Sequence, residues 1–116
     1  MDITYTTDCF PEDTAIEGNC LASGDESADL AEALRIEEEL AYNPWAWCLV
    51  KVTATLVGTD LQGEDYLGAC SYANEADFHA SLYYEDMKEA AKLDLLAKTE
   101  QIGLALAREA GARLQL

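Results

Sequence analysis

From Ala46 to Leu56 every even-numbered residue is apolar: Ala46, Cys48, Val50, Val52, Ala54 and Leu56. Lys51, Thr53 and Thr55 stand between them. A period of two over this length describes a β-strand with one dry face and one wet face. The run from Trp45 to Val57 is also rich in aromatic and β-branched residues, which suit a pleated surface. Gly58-Thr59-Asp60-Leu61-Gln62-Gly63 supplies a loop of hairpin length, and Asp65 to Tyr72 a second strand. A turn centred near Leu61 places Tyr66, Gly68, Cys70 and Tyr72 on the face of Cys48 and Val50. Two strands with one dry face are not stable alone in water. The remainder of the chain must cover that face.

Helices flank the hairpin on both sides. Ser23-Gly24-Asp25-Glu26 has the form of a capping box, with Ser23 as N-cap and Glu26 at the third helical position. A helix over 24–42 follows, closed by Asn43-Pro44 because the residue before proline avoids the helical region. Leu30, Ala33, Leu34, Leu40 and Ala41 share one stripe, with Ile36 at its edge. Asp25, Asp29, Glu32 and Glu39 lie opposite, with Glu38 flanking. Glu37 falls beside the apolar stripe, where it either reaches out at the rim or meets a base such as Arg35 or Lys51. After the hairpin, Asn74 caps a helix with acids in its first turn. Helix continues to 113, either unbroken or stepping near Ser81-Leu82, with a stripe of Tyr84, Met87, Ala91, Leu95, Ile102 and Leu106. Gly103 reads as a kink and Gly111 as an end.

The expected fold is a single α+β domain over 1–116 in the order α-β-β-α. Residues 1–23 form an acidic arm that is mostly irregular, with Pro11-Glu12-Asp13 as a turn. The hairpin over 45–72 takes any third strand from Ile3-Thr4-Tyr5-Thr6 or from a second copy of the chain.

Charge is spread unevenly over this frame. The net charge is −16. Residues 1–40 hold twelve carboxylates against Arg35 alone; residues 83–116 hold six acids and five bases and are nearly neutral. Half the residues are apolar, so the acidity is not that of a disordered chain. Solubility requires no such segregation, so the uneven field points to a partner with a positive surface, or to a chain that must repel nucleic acid. Seven basic residues, most of them in the C-terminal helix, leave no patch for phosphate, which argues against direct nucleic-acid binding. The N-terminal residues lack a basic segment followed by an apolar one, and no apolar run approaches the ~18 residues of a membrane span. A cytoplasmic protein is expected.

Catalytic and metal signatures are absent from the sequence pattern. His79 is the one histidine, set on a helix among Asp77, Phe78 and Ser81, and reads as structural. No phosphate-binding glycine loop occurs. Cys9, Cys20, Cys48 and Cys70 lack Cys-x-x-Cys spacing, so a zinc knuckle is not indicated. Cys48 and Cys70 are expected in the core as free thiols, whereas Cys9 and Cys20 flank a loop across which they could pair. Neither Asp8–Asp13 nor Asp60–Asp65 has the ligand order of a calcium loop. No enzyme, metal or cofactor is expected.

The acidic stretch suits a different task. Duplex DNA carries one charge per about 1.7 Å of axis, so a helix of ~25 Å lies along ~15 DNA charges. The 24–42 helix has seven acids and one base, about half that density, and the arm before it could add the rest. In size, composition and the acidic segment over 8–39, the chain resembles small acidic accessory proteins of phages and mobile elements. These include anti-CRISPR and antirestriction proteins that act as DNA mimics. That resemblance implies a non-enzymatic inhibitor, working in the host-cell cytoplasm, that binds the basic nucleic-acid-binding surface of a host defence complex by protein–protein interaction. The residues offered for that surface are Glu12, Asp13, Glu17, Asp25, Glu26, Asp29, Glu32, Glu38 and Glu39. The competing expectation is a structural or assembly protein. It would form a homodimer or larger oligomer through an apolar strip of Trp45, Trp47 and Leu49 on the second strand face, together with the C-terminal helix; the alternative for that strip is burial under the arm or a helix.

Overall fold

The computed structural model describes residues 1–114. It is an α+β fold, as expected. Three antiparallel strands, β1 (Ile3–Pro11), β2 (Cys48–Leu56) and β3 (Gln62–Cys70), form one sheet in the order β1-β2-β3. Helix α1 (Glu26–Leu40) lies between β1 and β2; α2 (Glu75–His79) and α3 (Tyr83–Leu114) follow β3.

The third strand comes from the arm. β1 pairs with β2 along its whole length, from Ile3 opposite Leu56 to Pro11 opposite Cys48. The arm is therefore irregular only after Pro11. The expected segment Ile3–Thr6 lies in β1, and the strand runs on to Pro11: Thr4, Thr6 and Asp8 face water while Ile3, Tyr5, Thr7 and Cys9 turn inward, and only two of those inward residues are aliphatic or aromatic, so the alternation is weak.

The core lies between the sheet and α2–α3. Cys48, Val50, Val52 and Ala54 are buried from β2, Phe78 from α2, and Met87, Ala91 and Leu95 from α3. Phe78 anchors the cluster edge-on to Tyr72 and Tyr84 and stacked on Trp45. Such aromatic pairs add stabilisation beyond the area they bury. α2 and α3 are separate helices: the step falls at Ala80–Leu82, one of the two arrangements expected.

The hairpin register differs from expectation. Gly63 lies opposite Ala54 and Leu67 opposite Val50, so odd residues of β3 face the helices. Tyr66 and Glu64 stand on the opposite face beside Lys51 and Thr53, where Thr53 is buried rather than wet as expected, at the middle of the sheet between Thr6 and Glu64. Cys70 nevertheless reaches the core opposite Cys48, because a bulge between Leu67 and Cys70 shifts the register. Ala69, in that bulge, has φ +53°, the left-handed region. Gly63 is a packing glycine: a Cβ there would run into the Ala91 carbonyl and the Leu95 backbone, so the strand presses directly on α3.

Three further corrections concern local structure. The α1 cap is Asp25, whose carboxylate accepts from the Ser27 and Ala28 amides, two residues later than expected. Ser23 instead donates to Asp29 through both its hydroxyl (2.7 Å) and its amide (3.1 Å). Pro44–Ala46 is a 3₁₀ turn rather than the start of β2, since Asn43 caps it and Pro44 occupies its first position. α3 continues through Gly103 and Gly111 to Leu114, so Gly111 does not end it.

The molecule is long. Its Cα radius of gyration is 20.0 Å and its extents are 73 × 24 × 23 Å. A globule of this length would have a radius near 13 Å. The elongation arises because α3 outruns the sheet and α1 lies at the other end. Lys98 donates to the Gln62 carbonyl beside the hairpin turn, and from Glu100 to Ala110 every residue of α3 is exposed. α1 instead rests on the 3₁₀ turn at the start of β2.

Candidate functional site

The acidic residues gather at the α1 end. A second, smaller core of Ile36, Ala46 and Trp47 holds α1 to the body, with Ile16 and Cys20 of the arm packed against it. Trp47 is 3% exposed and its indole N–H donates to the Thr14 carbonyl at 2.8 Å. That bond fixes the middle of the arm. At one end of the arm, Glu12 shares a hollow with Leu40, Ala41 and Tyr42 at the C-terminus of α1. Further along, Glu17 and Gly18 share a hollow with Glu26, Asp29 and Leu30 at its N-terminus. The arm therefore runs back beside α1 along most of its length, and the carboxylates of both segments share one end of the molecule.

The nine expected partner-binding residues fall into distinct groups. Glu12 is a structural carboxylate: Oε2 accepts from the Ala69 amide at 2.7 Å and Oε1 from the Thr14 amide at 3.0 Å. These amides hold its carboxyl below the usual glutamate range. Asp25 is the helix cap, and Asp29 accepts from Ser23. Glu32 and Glu39 share Arg35, which reaches them at 2.6 Å and 3.3 Å from one turn away on either side. The Arg35 fork also lowers the Glu32 pKa. Asp13, Glu17, Glu26 and Glu38 are exposed. So is Glu37, which reaches out at the rim, one of its two expected placements, and does not meet a base: Arg35 is taken by Glu32 and Glu39, and Lys51 pairs with Glu64 at 3.3 Å.

α1 is also rotated relative to its expected orientation. Ala33 and Ile36 are buried and Asp29, Glu32 and Glu39 are half-buried, whereas Leu30 and Leu34 are 44% and 53% exposed. The reason is the size of the support. A single Trp47, Ile16 and Cys20 accommodate a narrow stripe, and the Ser23–Asp29 bonds turn the acidic edge inward. Leu30 and Leu34 thus form an apolar ridge beside Glu26, Glu37 and Glu38, a feature of the site that the single-stripe reading missed. The signal was the width of the stripe: more apolar positions than one small cluster can cover.

Of the two expectations for Trp45, Trp47 and Leu49, burial holds for Trp47 and in part for Trp45, and no exposed strip is assembled. The 3₁₀ turn breaks the alternation, so Trp45 enters the main core against Phe78 and Trp47 enters the smaller one. Leu49 is half-buried. All four cysteines are free; Cys48 and Cys70 are buried as expected, while Cys9 and Cys20 lie in different packing clusters and do not pair. His79 lies 3.1 Å from the Thr7 hydroxyl and stacks on Tyr84 with ring centroids 4.2 Å apart, a structural setting. Among the described residues, no group of three or more His, Cys, Asp or Glu is placed to hold a metal ion. No helix among the described residues is long and apolar enough to cross a membrane. Comparison with known proteins finds no matching family model, no matching curated protein and no matching solved structure.

Proposed function

We propose that the arm and α1 together form the working face of a non-enzymatic inhibitor. In this reading the face occupies the basic nucleic-acid-binding surface of a partner complex, of the anti-CRISPR or antirestriction kind. The observation that supports it is the packing of the arm beside α1. α1 alone is about 22 Å long and lies along ~13 charges of DNA, against its own six acids and Arg35. Residues 12–25 add Glu12, Asp13, Glu17 and Asp25 over the same length, which brings the face to about two thirds of DNA density. The Leu30–Leu34 ridge gives that face an apolar centre, which a bare polyanion lacks. Buried apolar contacts are what add residence time to an electrostatically steered encounter.

The test is recovery of a nucleic-acid-binding complex from bacterial lysate on the immobilised protein, and its release by salt. Glu17→Lys, Glu26→Lys and Glu38→Lys combined should abolish recovery with the far-ultraviolet dichroism retained; all three side chains are exposed, and only Glu26, in the first turn of α1, favours the helix through its dipole. A control combining Asp2→Lys, Asp60→Lys and Glu89→Lys has the same net charge with the change placed elsewhere, and should retain it. Equal loss in both variants would reduce the effect to net charge; retention in the first would remove the proposed face.

A further inference from the structure

The opposite end of the molecule carries the second feature. Beyond Lys98, α3 leaves the sheet and runs on for sixteen residues to Leu114, about 24 Å, with no described element beneath it. Ile102 and Leu106 continue the helical face that Met87, Ala91 and Leu95 bury on the sheet, yet they are 43% and 66% exposed. A helix of this length is marginal in water unless its apolar face is covered, and Gly103 and Gly111 weaken it further.

Charge indicates what covers it. Residues 99–114 hold Glu100 and Glu109 against Arg108 and Arg113 and are neutral, so the whole −16 resides in residues 1–98. A basic partner, which the rest of the surface attracts, finds no attraction here. A second copy is repelled everywhere except here. Parallel pairing would set two −16 bodies side by side. Antiparallel pairing about a two-fold axis separates them by the tail, about 24 Å or three Debye lengths at physiological salt. The acidic α1 ends then point outward at the two extremes of the assembly.

We infer that the C-terminal half of α3 is a homodimerisation element, in which the Ile102–Leu106 face packs antiparallel on the same face of a second copy. The proposed inhibitor role does not enter this inference. It also carries the opposite salt dependence: screening relieves body-to-body repulsion, so self-association strengthens with salt while docking on a basic surface weakens.

Sedimentation equilibrium and small-angle scattering on the full chain test this together. The expected result is a two-chain mass that gains population with salt, and a maximum dimension near 120 Å, two lengths of 73 Å overlapped by the tail. Ile102→Glu with Leu106→Glu should give a one-chain mass with the near-ultraviolet dichroism of Trp45 and Trp47 unchanged. A wild-type chain that stays monomeric at submillimolar concentration and high salt overturns the inference. So does a wild-type dimer no longer than the monomer, whatever the variant does, because that length belongs to side-by-side association.

Discussion

The Ala69 amide donates to Glu12 Oε2 at 2.7 Å, joining the end of β1 to the bulge of β3 across the full width of the sheet. The same carboxylate accepts from Thr14 at the start of the arm. A residue that reads in the sequence as one more surface acid thus closes the sheet and launches the arm toward Trp47.

This relationship predicts a pH dependence. The amides of Ala69 and Thr14 hold the Glu12 carboxyl below its ordinary 4.5. A group with a depressed folded value stabilises the protein above its unfolded value, and that contribution fades as pH falls through the folded one. Glu12→Gln keeps an acceptor but removes the charge. Its melting temperature should fall below that of the wild type at neutral pH, and the gap should narrow as pH falls below the ordinary glutamate value. A gap of equal size at neutral pH and at about pH 3 would assign the effect to shape rather than charge.

Gly63→Ala tests the contact between β3 and α3. The added methyl meets backbone at Ala91 and Leu95, which has no rotamer with which to give way. The substitution should cost at least the upper part of the ~1–3 kcal/mol range of overpacked cores. Urea titration reads it as a lowered midpoint. Gly103→Ala, on the open part of α3, should instead leave the midpoint unchanged or raise it, since the helix gains propensity and the site has open space around it.

The same pair shows where the sequence was legible. Strong periodicity carried β2, α1 and the helical 74–113 region, because each pattern persists over more than one turn or several strand residues. β1 was legible only at Ile3–Thr6, and its continuation to Pro11 escaped because Thr, Asp and Pro dilute the alternation. The face of β3 escaped because a bulge at Gly68–Ala69 reverses the parity; Gly68 inside the strand is compatible with a bulge but does not fix its position, and the φ of +53° falls on Ala69, where it is unusual. The acids of the site were legible as a cluster, but their division into exposed and structural ones was not. That division depends on tertiary partners: Ala69 for Glu12 and Ser23 for Asp29. Only the Glu32–Arg35–Glu39 fork follows from helical spacing alone.

Trp47 is the pin on which the candidate face depends. Trp47→Ala should cost about 3–5 kcal/mol, as expected for an emptied aromatic site. Trp47→Phe retains much of the packing and loses the 2.8 Å bond to the Thr14 carbonyl, at about 1 kcal/mol. Hydrogen exchange should then show the amides of residues 14–20 opening faster while those of β2 are unchanged. If the arm stays as protected as before, Ile16 and Cys20 hold it without the tryptophan bond.

The thiols offer the last check, this time on the core. Burial raises the Cys48 thiol to about 12 and the Cys70 thiol to about 11, and the two face each other across β2 and β3. Burial also raises Cys9, with Asp8 adding to the effect. Thiolates are the reactive form, so a disulfide reagent near pH 8 should leave Cys48 and Cys70 untouched in the native protein. Cys20, half-exposed on the arm, should react first, and Cys9 more slowly behind it. Denaturant should release all four. Loosening the arm by Trp47→Phe should accelerate Cys20 and leave Cys48 silent. Fast reaction of Cys48 in the folded chain would mean that the sheet opens at its β2–β3 edge, and with it the bulge that Glu12 holds closed.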